Sequence, residues 1–166
     1  MIASDAHEGL QAARRAVFPS VPWQRCQFHL QQNAAAYVPR KAMRTEVAAD
    51  IRQIFDAPNR TVAEAYLKQA VEKYAQTASQ LADWLEANIP EGLTVFAFPK
   101  AHQRRLRTSN GLERINREIR RRTRVVSIFP NLASCLRLVS AILAEIDEEW
   151  QADRIYLSVA SKPMGP

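Results

Sequence analysis

Apolar residues recur at helical spacing through most of the chain. Within residues 40–55 they fall on one side of a helix, at Met43, Val47, Ile51, Ile54 and Phe55. This spacing predicts an amphipathic helix. Similar patterns predict helices over 8–17, 79–89 and 131–150. The chain is therefore expected to be predominantly helical.

Polar residues mark where one further helix and the helix over 131–150 begin. Thr61 followed by Glu64 has the spacing of a capping box, which predicts a helix that starts at Thr61. Asn131 precedes a long apolar stripe and is the expected N-cap of that helix.

The first residues follow a strand pattern. The segment 1–4 reads as the end of a buried strand that runs directly into Asp5, and 21–28 is rich in Val, Trp and Phe, which predicts a second strand. With the intervening helix, residues 1–29 form an α/β unit, and residues 30–97 read as a helical block inserted after it. Because no residues lead into the first strand, we expect the chain to be truncated at its amino terminus.

Positive charge is concentrated in one segment. Between Lys100 and Arg124, ten Lys or Arg residues stand against two Glu, a local net charge of +8 that leaves −2 for the rest of a chain whose net charge is +6. Such a patch indicates a polyanionic partner, most often nucleic acid. A membrane surface fits less well, because the adjacent apolar stripe is narrow and lacks aromatic residues.

Cysteine content and hydropathy indicate the cellular compartment of the protein. The chain has two cysteines, Cys26 and Cys135, and no secretory signal, which favours a reducing, cytoplasmic setting. No apolar run reaches the roughly 18 residues that a membrane-spanning helix needs. We expect no membrane association.

Glu113 is an acid placed among arginines. In a helix that begins at Asn110, the apolar residues lie on one face, while Glu113 and Arg117 lie on another. One interpretation is an ordinary i,i+4 ion pair on a solvated helix, which stabilises by roughly 0.2–0.5 kcal/mol. The other is a carboxylate retained for its chemistry.

Asp5 closes the first strand and admits two interpretations. An acid at the carboxyl end of a strand is well placed to hold a divalent cation through its hard oxygen ligands. It could equally cap the helix that follows, since Asp is a preferred N-cap. His7 lies two residues farther along and is expected to have at most a supporting role.

Cys26 and His29 have C-x-x-H spacing. Structural zinc needs four protein ligands, and no second close pair exists in the sequence, so zinc is not favoured. A buried, packed pair is the expected arrangement. A nucleophilic Cys26 activated by His29 stays a weaker alternative, because no orienting group can be named.

Four ordered motifs together resemble the Mutator-type bacterial insertion-sequence transposases. They are S-D-A-H-E-G-L over 4–10, R-C-Q-F-H over 25–29, T-S-N-G-L-E-R-I-N-R-E-I-R-R-R-T-R over 108–124 and I-F-P-N over 128–131. The resemblance runs from Ser4 to about Tyr156, nearly the whole chain. The third motif is long and specific.

The resemblance implies a DDE transposase with a partial RNase H-like catalytic fold and an all-helical insertion domain. By motif match, Asp5 is the second catalytic aspartate, Glu113 is the catalytic glutamate, and Cys26 with His29 is the family's C/D-x-x-H signature. The carboxylates would hold two Mg²⁺ (or Mn²⁺) ions, about 3.5–4 Å apart, for attack on DNA phosphodiesters. Residues 98–156 would be the core helices that carry the glutamate, and 157–166 a tail.

DNA, both transposon ends and target, is the implied partner, in a cytoplasmic, nucleoid-associated bacterial protein without a small-molecule substrate. The expected DNA-binding residues are Arg104, Arg105, Arg107, Arg114, Arg117, Arg120, Arg121 and Arg124.

One element of the family pattern is missing, because the first catalytic aspartate belongs upstream of Asp5. We therefore expect a transposase fragment that is inactive alone. Two alternatives differ in class: a non-enzymatic DNA-binding module, and a helical protein that forms homo-oligomers through the apolar stripe over 131–150.

Overall fold

The computed structural model of the protein describes residues 1–153. These belong to two compact units, Met1–Ser109 and the unit that begins at Asn110. The predicted tail, 157–166, lies outside the described residues. The domain boundaries predicted after residues 29 and 97 stay a prediction.

The first unit opens with a strand–helix–strand segment. Strand β1 (Ile2–Ser4) and strand β2 (Trp23–Arg25) pair in parallel, with Ile2 opposite Trp23, and helix α1 (Glu8–Val17) connects them. The predicted α/β unit is confirmed. The second strand is shorter than predicted, because the chain turns at Cys26 and continues as a helix from Gln27.

Five further helices complete the first unit. They are α2 (Gln27–Ala34), α3 (Arg44–Phe55), α4 (Arg60–Tyr74), α5 (Ser79–Asn88) and α6 (Lys100–Leu106). Single 3₁₀ turns precede α3 and follow α2, and two more, Ile89–Gly92 and Thr94–Ala97, lead from α5 towards α6. The predominantly helical character is therefore confirmed.

The core of this unit is formed by the amphipathic faces of its helices. Helix α3 buries Val47, Ile51, Ile54 and Phe55, as the periodicity predicted. The core continues through Leu30 of α2 and through the buried residues of α4 and α5. Gly92 sits against it so closely that a Cβ there would lie 2.6 Å from Leu30 Cδ1.

The start of α4 differs from the prediction. Asn59, not Thr61, is the N-cap, and its side-chain oxygen accepts a hydrogen bond from the Val62 N–H at 3.0 Å. Glu64 pairs with Arg60 at 2.7 Å across one helical turn. The capping box was wrong because the helix begins at Arg60, which places Thr61 inside the first turn.

A buried polar network joins β2 to the 3₁₀ segment. Gln24 Nε2 donates to the Gly92 carbonyl at 2.7 Å, and Gln27 Nε2 donates to the same carbonyl at 2.8 Å. Gln24 Oε1 accepts from the Val95 N–H at 2.7 Å. Arg25 reaches Glu91 at 3.0 Å. Side-chain amides thus satisfy backbone groups that neither a helix nor the sheet pairs.

Substitution of Gln24 by Leu tests this network. Gln24 is fully buried, and the change leaves the Val95 N–H without its acceptor. Since an unpaired buried polar group costs about 1–3 kcal/mol, we expect the free energy of unfolding to fall by about that amount, measured by urea denaturation. Gln32→Leu on the exposed side of α2 is the control, with an expected change within about 0.5 kcal/mol. Equal losses in the two variants would contradict the network.

The second unit contains helices α7 (Asn110–Val126) and α8 (Leu132–Asp153). Ser127 follows α7 with φ of 61°, the left-handed conformation common just after a helix. Asn131 Oδ1 accepts from the Ser134 N–H at 2.8 Å, which confirms the predicted N-cap of α8. Ile142 of α8 is buried.

Within residues 1–153, no helix is both long enough and apolar enough to cross a membrane.

Candidate functional site

Asp5 lies directly after β1 and is half-buried. Its Oδ1 accepts a hydrogen bond from the Ala6 N–H at 2.8 Å, and the Ser4 hydroxyl donates to its carbonyl at 2.9 Å. The N-cap of α1 is His7, whose Nδ1 accepts from the Gly9 N–H at 3.2 Å. Asp5 is therefore not the helix cap, and that interpretation was wrong.

Cys26 is fully buried and free of any disulfide. It occupies the N-cap position of α2 but makes no side-chain bond to that helix. Its Sγ instead accepts a hydrogen bond from the Ser109 N–H at 3.4 Å. His29 is half-buried in the first turn of α2, with its ring edge-on to Phe28 at 5.6 Å. The expected packing of Cys26 is confirmed.

Carboxylates such as Asp5 and Glu113 offer the oxygen donors that Mg²⁺ prefers. Within residues 1–153, however, no group of three or more His, Cys, Asp or Glu side chains is arranged to hold a metal ion.

Glu113 lies in the first turn of α7 and is half-buried. It lines an open groove of about 580 Å³ together with Asn116, Arg117, Arg120, Arg121 and Arg124. Helical spacing explains the grouping, since residues three and four positions apart share a face. The predicted neighbourhood of Glu113, one acid among arginines, is confirmed.

The arginines of α7 are not equivalent. Arg121 donates to Glu118 at 2.7 and 2.9 Å, and Arg122 bridges Glu118 at 2.8 Å and Glu145 of α8 at 2.5 and 3.0 Å. Arg114, Arg117, Arg120 and Arg124 are exposed. Part of the basic charge thus serves the packing of α7 on α8, and part faces solvent.

These ion pairs shift the pKa values of the residues that form them. Hydrogen bonds from Arg121 and then Arg122 lower the pKa of Glu118 from 4.5 to about 2, and the Arg122 hydrogen bond lowers the pKa of Glu145. The pKa of each arginine is raised in turn, that of Arg121 first by its bond to Glu118 and that of Arg122 first by its bond to Glu145. The Glu118–Arg122 spacing could have been read from the sequence, but Glu145 could not, because it lies on another helix.

The arginines around α6 belong to the first unit. Arg104 and Arg105 are exposed on α6. Arg107 follows α6 and pairs with Asp56 at 2.7 Å. Since Asp56 partly neutralises it, Arg107 contributes to the fold of this unit, which the sequence did not predict.

Acid should weaken the ion pairs that Glu118 forms with Arg121 and Arg122 within α7. The pKa of Glu118 is lowered in the folded state, so the stabilisation is present above the ordinary value of 4.5 and is lost as pH falls towards about 2. We expect Glu118→Gln to flatten the pH dependence of the helical circular-dichroism melt across this window. Glu148→Gln, at an exposed position of α8, is the control. An unchanged slope in Glu118→Gln would refute the assignment.

The order of these features, an acid after a short strand and a second acid on an arginine-rich helix, extends across residues 1–153. The sequence model of one family, "Transposase, Mutator family", matches the same residues, 1–153. The chain belongs to the Mutator family of transposases.

Relatives within the Mutator family are insertion-sequence transposases. The chain is 63% identical over 158 residues to the IS406 transposase of Burkholderia multivorans, which covers 95% of this chain and 41% of the relative. It is 40% identical to the ISRM5 transposase of Rhizobium meliloti, over 96% of this chain and 40% of that protein. For the IS1081 transposase of Mycobacterium tuberculosis the identity is 38%, over 96% of this chain and 38% of that protein. The Mutator-family chain thus spans about two fifths of the length of these relatives.

Proposed function

We propose that this chain is a catalytic-domain segment of a DNA transposase, with Asp5 and Glu113 as metal-binding carboxylates and the exposed arginines of α7 as its DNA-phosphate contacts. The observation that carries the proposal is the groove in which Glu113 shares a helix face with Arg117, Arg120 and Arg124. Arginines there would hold a phosphodiester backbone beside the carboxylate.

An RNase H-like core is the fold that we propose for this segment. The parallel pair β1–β2 joined by α1, with an acid directly after β1, supports it. Ligands of open α/β sheets bind outside the carboxyl ends of strands, which is where Asp5 lies. Residues 30–97, which include most of α2 and helices α3 to α5, would then form the inserted helical domain.

Mg²⁺ or Mn²⁺ is the proposed cofactor. Bound at such carboxylates, it would supply Lewis-acid activation for phosphodiester cleavage and strand transfer. The proposal names two carboxylates, Asp5 and Glu113, as ligands, and we expect the 166-residue chain alone not to cleave DNA. Further ligands would have to complete the site.

The metal role is tested by binding, not by turnover. We expect Asp5→Asn and Glu113→Gln each to weaken Mn²⁺ binding to the chain in isothermal titration, because each removes a charged oxygen ligand. Glu86→Gln, which removes an exposed carboxylate from α5, should leave the affinity unchanged. An unaltered chain that binds no Mn²⁺, or equal losses in all three variants, would contradict the metal role.

The DNA role is tested by salt dependence. We expect Arg117→Ala and Arg120→Ala to weaken binding to unrelated duplexes alike, and each to reduce the slope of log K against log salt by about 1. Fluorescence anisotropy would measure both quantities. Arg60→Ala is the matched control, since it removes the same charge from an exposed position of α4. If Arg60→Ala has the same effect, binding does not depend on the α7 groove.

A non-enzymatic DNA-binding module is the second candidate. It is favoured by the same groove of arginines, which can bind phosphate whether or not the carboxylates hold a metal ion. Salt-sensitive DNA binding that persists in Asp5→Asn and Glu113→Gln, from a chain that binds no Mn²⁺, would establish this candidate.

A further inference from the structure

Three segments that are distant in the sequence meet at Cys26. The Cys26 N–H donates to the Ser4 carbonyl at 2.8 Å, directly before Asp5. The Ser109 N–H donates to Cys26 Sγ at 3.4 Å, across 83 positions and directly before α7. Cys26 is therefore bonded on one side to the residue before one carboxylate and on the other to the residue before the helix that carries Glu113.

A second bond strengthens the junction with residues 107–109. The Gln27 N–H, one of the first donors of α2, donates to the Arg107 carbonyl at 3.0 Å. The first N–H groups of a helix have no partner within the helix, and α2 has no side-chain cap at Cys26. The segment before α7 supplies the missing acceptor, while the thiol accepts in return.

The Arg107 side chain provides a third attachment. Its guanidinium donates to Asp56, the C-cap residue that follows α3, at 2.7 Å. Residues 107–109 are thus attached at three places, by the α2 N-terminus, by Asp56 and by the thiol. Among these, the thiol is the one bonded to Ser109, the last residue before α7 begins.

We infer that Cys26 is a positioning residue, whose Sγ holds the Ser109 N–H and so fixes the point from which the Glu113-bearing helix α7 departs. Its significance for catalysis rests on the proposed function, in which Asp5 and Glu113 are metal-binding carboxylates. The position requires a small, buried hydrogen-bond acceptor. That requirement accounts for the Cys of the C-x-x-H spacing without invoking zinc or a nucleophile.

Two substitutions at Cys26 distinguish a role as hydrogen-bond acceptor from a role in filling space. Cys26→Ala removes the acceptor, and Cys26→Ser retains one in nearly the same place. In ¹⁵N-resolved hydrogen exchange of the whole chain, we expect the Ser109 amide to exchange about five-fold faster in Cys26→Ala, as loss of one ordinary hydrogen bond implies. We expect it to stay near the original rate in Cys26→Ser. Cys135→Ala, in α8, is the control and should leave the Ser109 rate unchanged.

Two results would overturn the inference. One is an unchanged Ser109 rate in Cys26→Ala, and the other is equal acceleration in the Ala and Ser variants, which would make the residue a matter of packing. If Cys26→Ala fails to fold, Cys26→Val fills similar space without a hydrogen-bond acceptor. It should accelerate exchange of the Ser109 amide as Cys26→Ala does, and an unchanged Ser109 rate would equally overturn the inference.

Mn²⁺ titration tests whether Cys26 affects the proposed metal site. It also distinguishes a failure of the positioning role from a failure of the metal role. If the unaltered chain binds Mn²⁺, Cys26→Ala should weaken that binding several-fold, while Cys26→Ser should not. If Cys26→Ala binds Mn²⁺ as tightly as the unaltered chain, the positioning role is overturned. If the unaltered chain binds none, the proposed metal role fails, and the Ser109 exchange rates alone decide whether Cys26 positions α7.

Discussion

A backbone carbonyl buried at Gly92 constrains the first unit, because a buried acceptor without a donor is costly. Gln24 from β2 and Gln27 from α2 both supply donors to it, and Gln24 also accepts from Val95. A Cβ at Gly92 would lie 2.6 Å from Leu30 Cδ1, so a side chain there would require the buried Leu30 side chain to shift. The end of β2 and the beginning of α2 are therefore held against the 3₁₀ segment, and Cys26, which lies between Gln24 and Gln27, is held with them.

Helix α7 meets two electrostatic demands at once. A helix with this many arginines repels itself unless some of the charge is balanced, and Glu118 balances Arg121 while Glu118 and Glu145 balance Arg122. Of these two, Arg122 attaches α7 to α8 through Glu145, whereas Arg121 pairs within α7. Arg117, Arg120 and Arg124 line the groove with Glu113 and are exposed, so they can contact a polyanion without breaking the Arg122–Glu145 pair. Arg121 belongs to both sets, because it lines the groove and pairs with Glu118.

The helices could be predicted from the sequence because burial of one face imposes a period near 3.6 residues, and α3 shows this directly. The N-cap of α8 could be predicted because Asn131 acts within its own turn. The start of α4 was missed although it is local, because Asn59 and Thr61 are both capable N-caps and Asn59 takes that place. The pairing of Arg122 with Glu145 could not be predicted, since Glu145 lies on another helix. At the candidate site, the acid among arginines was readable from local spacing, whereas the bond between Cys26 and Ser109 spans 83 positions and has no local signature.

The first and third motifs of the chain are both hydrogen-bonded to Cys26, which belongs to the second motif. The first ends its strand at Ser4, whose carbonyl accepts from the Cys26 N–H, and the third opens with Thr108 and Ser109, whose N–H reaches the Cys26 thiol. The helical segment between them can vary in its surface residues without disturbing these bonds, provided that it keeps Gly92 and Val95 against Gln24. The residue at position 26 is thus held by two hydrogen bonds, one from its N–H to Ser4 and one from Ser109 to its side chain. In our inference, these hydrogen bonds explain the Cys of the C-x-x-H pair.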